Sequence, residues 1–237
     1  MNYMQGPEDK KNLIDRTVTF VQQSLANAEA GHNWRHIERV WINTERLLAS
    51  ESSDLNTLVC ELAALLHDIA DSKFHNGDEE IGPHTAGKFL REQGVDEQTT
   101  THVEQIIRHM SFSSSLGDRS FHSAEMALVQ DADRLDAMGA IGIARAFHYG
   151  GFKNRELYDP EIPPAINQSK SAYKNSKAPT INHFYEKLLL LKDQMNTESA
   201  KRLAAERHQF MEDFLTQFYA EVNPNEHENT SFHPDQK

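Results

Sequence analysis

The chain of 237 residues contains one cysteine, Cys60, so no disulfide can form within it. That fits a reducing compartment, and a cytoplasmic protein is expected. Long hydrophobic runs are also missing. The longest, at 62–66, is far short of the roughly 20 residues that span a bilayer, so no membrane association is expected. The first eleven residues are polar and of mixed charge, without the apolar centre of a secretory leader. Basic residues are in deficit: 24 Lys and Arg against 36 Asp and Glu give a formal charge of -12. Binding along a nucleic-acid backbone needs concentrated Lys and Arg, so an extended nucleic-acid partner is not expected. A small anion in a locally basic pocket is still allowed, because a site carries its own field.

What the chain does have is helical periodicity. Leu13, Val18, Val21 and Leu25 form one apolar stripe. A second begins near Trp34 and continues through Ile37, Val40, Trp41, Leu47 and Leu48. A third follows Asp54, read as its N-cap, with Leu55, Leu58, Val59, Leu62, Leu65, Leu66 and Ile69. Residues 71–83, with Gly77, Gly82 and Pro83, read as a loop. Further helices are expected over 84–93, 96–110, 123–138, 143–149, 183–195 and 199–219, with a glycine-assisted bend at 139–142. Residues 150–180 hold Pro160, Pro163, Pro164 and Pro179 and read as an irregular insertion, either a functional lid or a disordered segment. The expectation is one all-α domain over 1–222 and a disordered polar tail over 223–237. No internal repeat and no strand-rich block is visible.

The chemistry begins at His67 and Asp68. They follow the apolar run 62–66 at the end of a helix, where an imidazole and a carboxylate are costly to bury without a partner. A divalent cation would serve both at once. The bland alternative is that the two merely form hydrogen bonds at the helix end. His36, in HNWRH (32–36), and Asp133, in DADRLD (131–136), are the other candidate ligands. Two imidazoles and two carboxylates suit Mn²⁺, Fe²⁺, Ni²⁺ or Co²⁺ better than Mg²⁺, and lack the thiolates common in structural zinc sites. Asp136 lies three residues after Asp133 and shares its helix face, so it could orient a ligand or Arg134. Asp71, four residues after His67, shares that residue's face if the helix persists.

The series His36, His67-Asp68 and Asp133 resembles the HD-domain superfamily of metal-dependent phosphohydrolases. The segments LLHDIAD (65–71), GDEE (77–80), IIRHMSF (106–112), VQDADRLDA (129–137), GAIGIARAF (139–147), Gly150-Gly151 and YDP (158–160) look most like its bacterial subgroup acting on nucleoside triphosphates. The resemblance implies an HD-type helical bundle with additional C-terminal helices. It also implies a divalent metal, Mn²⁺ favoured, on His36, His67, Asp68 and Asp133. Asp71 and Asp78 would handle the proton of the attacking water. His109 would contact phosphate or donate a proton, and Lys73, Arg134, Arg145 and Lys153 would neutralise the phosphates. Tyr158 or Phe152 could stack a base. The implied reaction is hydrolysis of (deoxy)nucleoside triphosphates to monophosphate and pyrophosphate, in a monomer or homodimer. The alternatives are a nucleotide phosphomonoesterase or phosphodiesterase, and a non-catalytic nucleotide sensor with the same fold.

Overall fold

In the computed structural model, the described residues are 6–26, 33–51, 54–70, 78, 80–110, 121–166 and 176–223. Every regular element among them is helical: α1 (Pro7–Ser24), α2 (Trp34–Leu48), α3 (Thr57–Leu66), α4 (Ile81–Glu92), α5 (Glu97–His109), α6 (Ala124–Asp136), α7 (Gly139–Phe152), α8 (Asn182–Glu186), a 3₁₀ segment (Leu188–Gln194) and α9 (Glu198–Val222). None of these helices is long and apolar enough to cross a membrane.

The helix starts follow from short polar side chains that accept the first unpaired backbone N–H groups. Asn33 accepts from Arg35 and His36, Asn56 from Leu58 and Val59, Asp96 from Thr99, Ser123 from Met126, and Thr197 from Ala200. The cap of α3 is therefore Asn56 rather than Asp54. α4 starts at Ile81, so Gly82 and Pro83 belong to its first turn and not to the preceding loop. Proline is tolerated there because its missing N–H would have had no partner in the helix.

α3 is apolar on nearly every side and lies at the centre, packed against α1, α2, α5 and α6. Such a helix can only be a buried one. Leu62, Leu65 and Leu66 have no exposed surface, and they join one apolar cluster that runs from Leu13 in α1 to Leu215 in α9. α2 packs along α6, and α7 is held between α6 and α9. Cys60 is buried in this cluster, and burial pushes its thiol up to about 12.

α7 differs from its expected bounds at both ends. It begins at Gly139, whose φ of +67° turns the chain sharply out of α6, and it continues through Phe152. The irregular region therefore starts after Phe152. Its described parts are tied down: Glu156 and Leu157 carbonyls accept from Thr180 and Ile181, and the Asn182 side chain donates to the Ile162 carbonyl. The rest of that region, 167–175, and the tail 224–237 lie outside the described residues.

The helix expected over 183–195 is instead α8 and a 3₁₀ segment. Leu188 and Leu191 are buried while Leu190 is 41% exposed. A burial interval of three is the 3₁₀ period. Burial, with the nearby charges of Lys187 and Arg155, pushes the His183 imidazole of α8 down to about 3. Above pH 6.5 the ring is neutral in both folded and unfolded chains, and its contribution to stability is complete. As pH falls from 6.5 towards 3 the unfolded chain takes up a proton that the folded one refuses, at up to about 1.4 kcal/mol per pH unit. Denaturant titrations between pH 6 and pH 4 are expected to show a shallower loss of stability for His183→Gln than for the parent. Parallel acid limbs would contradict this.

Candidate metal centre

α2 and α6 lie against each other with matching i,i+3 pairs, His36 with Arg39 and Asp133 with Asp136. Residues three apart share a helix face, so each pair presents two functional groups at the seam. The end of α3 brings the third component, His67, which caps the helix.

Each imidazole has its Nδ1 already engaged. His36 Nδ1 is 2.7 Å from Asp136 Oδ2, and His67 Nδ1 is 2.9 Å from the Ala64 carbonyl oxygen at the end of α3. Both acceptors can only accept, so both Nδ1 atoms carry the hydrogen and both Nε2 atoms present lone pairs. His36 is 3% exposed, and burial, outweighing the pull of Asp136, lowers its proton affinity. The neutral ring is thus the form at neutral pH.

These two lone pairs face each other, with Nε2 to Nε2 at 3.3 Å. Asp133 Oδ1 lies 3.5 Å from His36 Nε2 and 3.9 Å from His67 Nε2. Three ligand atoms, one from each side chain, converge within 4.8 Å of one another. A cation placed among them would be met by two imidazole nitrogens and a carboxylate oxygen. Two nitrogens each about 2.0–2.1 Å from one cation at adjacent positions sit roughly 3 Å apart, close to the observed spacing. The donor set of two imidazoles and a carboxylate fits a divalent transition metal.

Behind His36 lies Asp136, 2% exposed. Its carboxylate accepts from Arg39 Nε at 2.5 Å and Arg39 Nη2 at 3.0 Å, and also from Arg145 Nη1. Burial favours the protonated acid, but the hydrogen bonds from His36 and Arg39 and the charge of Arg145 prevail and hold the carboxyl well below its usual range. Arg145 reaches this point because α7 turns back at Gly139. It also needs Gly142, where any Cβ would collide with the Ala137 backbone carbonyl. Asp136 thus fixes the tautomer of one metal-facing imidazole and gathers two guanidinium groups beside the centre. Residues in that position commonly affect metal affinity by about 10–100-fold. Asp136→Asn is expected to weaken Mn²⁺ binding by an amount in that range in a calorimetric titration, and to shift the ¹⁵N tautomer signature of His36. Unchanged affinity and tautomer would contradict the assignment.

The remaining sequence candidates are placed as follows. Asp68 sits on the turn directly after His67, outside the converging trio. Arg134 points away from the α2 seam, donating to the Gln194 carbonyl and lying 3.6 Å from Asp131. Lys153 is at the end of α7, its ammonium over the rings of Tyr149 and Phe152. Asp78 is exposed and accepts from the Glu80 N–H ahead of α4. His109 ends α5 with its ring stacked on Phe121. Arg108, beside it, pairs with Glu80. Asp71 and Lys73 lie outside the described residues. Tyr158 packs on Phe218 and Tyr219 of α9. Sequence reasoning missed Arg39. Its spacing from His36, matched to that of Asp136 from Asp133, was the available signal.

The HD domain family matches residues 33–138, a span that includes His36, His67, Asp68, Asp133 and Asp136. The chain is 38% identical over 213 residues to YpgQ of Bacillus subtilis, covering 86% of this chain and 91% of that protein. A crystal structure from Lactobacillus plantarum superposes with a TM-score of 0.78 at 39% identity, covering 91% of this chain and 98% of that one. An HD-superfamily hydrolase from Bacillus thuringiensis superposes with a TM-score of 0.70 at 45% identity, over 90% and 98% of the two chains. YpgQ has also been crystallised in complex with ADP; that structure superposes with a TM-score of 0.71 at 32% identity, over 92% and 98% of the chains. The convergent lone pairs of His36 and His67, the carboxylate of Asp133 and these likenesses lead to one assignment: the chain belongs to the HD-domain superfamily, and its fold is that of the HD-superfamily hydrolases.

Proposed function

We propose that the protein hydrolyses (deoxy)nucleoside triphosphates to the monophosphate and pyrophosphate with a divalent metal, Mn²⁺ by preference. The observation that carries this reading is the trio of acceptor atoms on His36, His67 and Asp133, flanked on one side by the guanidinium groups of Arg39 and Arg145. Cation-seeking ligands beside fixed positive charge suit a polyanionic substrate. The complex of YpgQ with ADP supports a nucleotide as that substrate.

In this reading His36, His67 and Asp133, with Asp68 as the fourth ligand, hold the metal. A cation bound there supplies Lewis-acid activation of water and of a phosphoryl oxygen. Arg145 and Arg39 stabilise negative charge on the phosphates as it redistributes, from positions already fixed by Asp136. Asp71 or Asp78 accepts the proton of the attacking water. The water oxygen bonds to the α-phosphorus as the bond from that phosphorus to the bridging oxygen breaks, and pyrophosphate leaves with the electron pair. His109 and Lys73 are assigned to the outer phosphates, and Lys153, at the end of α7, to the phosphate nearest the sugar. The Arg134 guanidinium, already bonded to the Gln194 carbonyl, acts by holding α6 in place.

Purified protein with Mn²⁺ and each dNTP is expected to yield pyrophosphate and the monophosphate in equal amounts. Release of inorganic phosphate alone, from monophosphates, would replace this reading with a nucleotidase. Saturable nucleotide binding with no product of either kind would indicate a sensor.

A further inference from the structure

α7 leaves the metal centre carrying more than Arg145. Tyr149 is four residues on and Phe152 seven, so both lie on the stripe of the helix that starts at Arg145. At 1.5 Å per residue, Tyr149 stands about 6 Å and Phe152 about 10 Å further along the axis. Both rings are open to solvent, 37% and 63% exposed. Ile143 and Gly150, which lie off this stripe, are buried. The Tyr149 ring has Lys153 Nζ at 5.6 Å and Arg155 Cζ at 5.6 Å from its centroid, and the same Lys153 ammonium is 5.0 Å from the centroid of Phe152. Arg155 is held there through its bond to the Ser176 carbonyl oxygen at 2.7 Å.

A single exposed ring is ordinary, but two neighbouring rings with cations beside them on one helix face form a patch of the kind that marks a ligand-binding surface. Here one helix face offers, in sequence, a guanidinium at the metal centre, an aromatic ring, then a second ring with an ammonium between the two. A nucleotide has the same order of parts, with phosphates at one end and a flat π-surface at the other, over a comparable span. From this order we infer that Tyr149 is the base-stacking residue of the substrate site. Phe152 borders the platform, and Lys153 swings from the rings to the nucleotide when it binds. Stacking on an aromatic ring tolerates any base, so this platform confers preference for nucleotides over simple polyphosphates rather than for one base. The inference rests on the nucleotide reading above and deepens it.

The test is calorimetric titration of the Mn²⁺-loaded protein with ADP and, separately, with inorganic pyrophosphate, which has phosphates and no base. Tyr149→Ala is expected to weaken ADP by roughly tenfold or more while pyrophosphate binds as in the parent. Tyr149→Phe, which keeps the ring, is expected to bind ADP like the parent, and thermal melts check that both variants fold. Equal ADP affinity in parent and Tyr149→Ala would overturn the assignment, as would an equal loss for ADP and pyrophosphate. The nucleotide reading fails separately, and takes this inference with it, if the parent protein neither binds ADP nor turns over a dNTP.

Discussion

Asp133→Ala is expected to give a folded protein that no longer binds the proposed metal and lacks the proposed phosphohydrolase activity. Asp133 makes few demands on the fold. Its side chain is 36% exposed, and it faces the seam with α2 rather than the apolar cluster. Its removal takes away the one anionic member of the trio. Two neutral imidazole lone pairs 3.3 Å apart would be left to bind a cation, with Asp68 as the nearest proposed help. An outer residue of a metal site typically costs about 10–100-fold when changed, and a direct ligand should cost more than about a hundredfold in turnover. Elemental analysis of parent and variant purified in the presence of Mn²⁺, together with a pyrophosphate-release assay, checks both halves of the expectation. Metal content and turnover at the parent level would remove Asp133 from the site.

A second large effect is expected from a carboxylate two residues away that does none of this chemistry. Asp131 and Asp133 lie about 200° apart around α6, so they face opposite directions. Asp131 is fully buried. It accepts from the Asn196 N–H at 2.9 Å, the Asn196 side-chain amide at 2.8 Å, the Thr197 N–H at 2.8 Å and the Thr197 hydroxyl at 2.9 Å. It thereby pins the N-terminus of α9 to α6. Asp131→Ala leaves those donors without their anion and opens a gap under the last helix. Hydrogen bonds to a charged group contribute about 1.5–3 kcal/mol each, and donors near the surface recover part of that from water. A net loss of about 3 kcal/mol follows. For a chain of this size each kcal/mol lowers Tm by about 2–4 °C, so the melt should move down by roughly 6–12 °C. Metal content at low temperature should be unchanged. A variant that melts with the parent would contradict the anchoring role, and one that loses metal while folded would place Asp131 in the centre.

The contrast between these neighbours shows what could be read from the chain alone. The DADRLD segment contains three carboxylates. Helical phase separates Asp131 from Asp133 and Asp136, but phase does not say which face meets α2. The helices themselves were legible because their apolar stripes and capping residues are local signals. The failures were also local in origin. Gly82 and Pro83 suggested a loop because both are breakers inside a helix, yet a first turn accepts them. Gly150 and Gly151 suggested the end of α7, which instead uses the small size of Gly150 to lie against Thr180. His67 was noticeable from the cost of burying it beside an acid. What the chain could not show is that its Nδ1 is spent on the Ala64 carbonyl and that of His36 on Asp136, which aims both Nε2 lone pairs at one point. Arg39 escaped notice because a lone arginine on a helix face usually serves only solvation. Its role emerges only when α6 brings Asp136 against it.

His36, His67 and Asp133 are proposed to hold the metal. The most direct measurement is anomalous diffraction at the manganese edge from crystals of the intact chain grown with Mn²⁺. One strong peak is expected within bonding distance of His36 Nε2, His67 Nε2 and an Asp133 carboxylate oxygen, absent from crystals of His67→Ala. No peak between these three side chains at saturating Mn²⁺, or a peak that persists undiminished in His67→Ala, would contradict it.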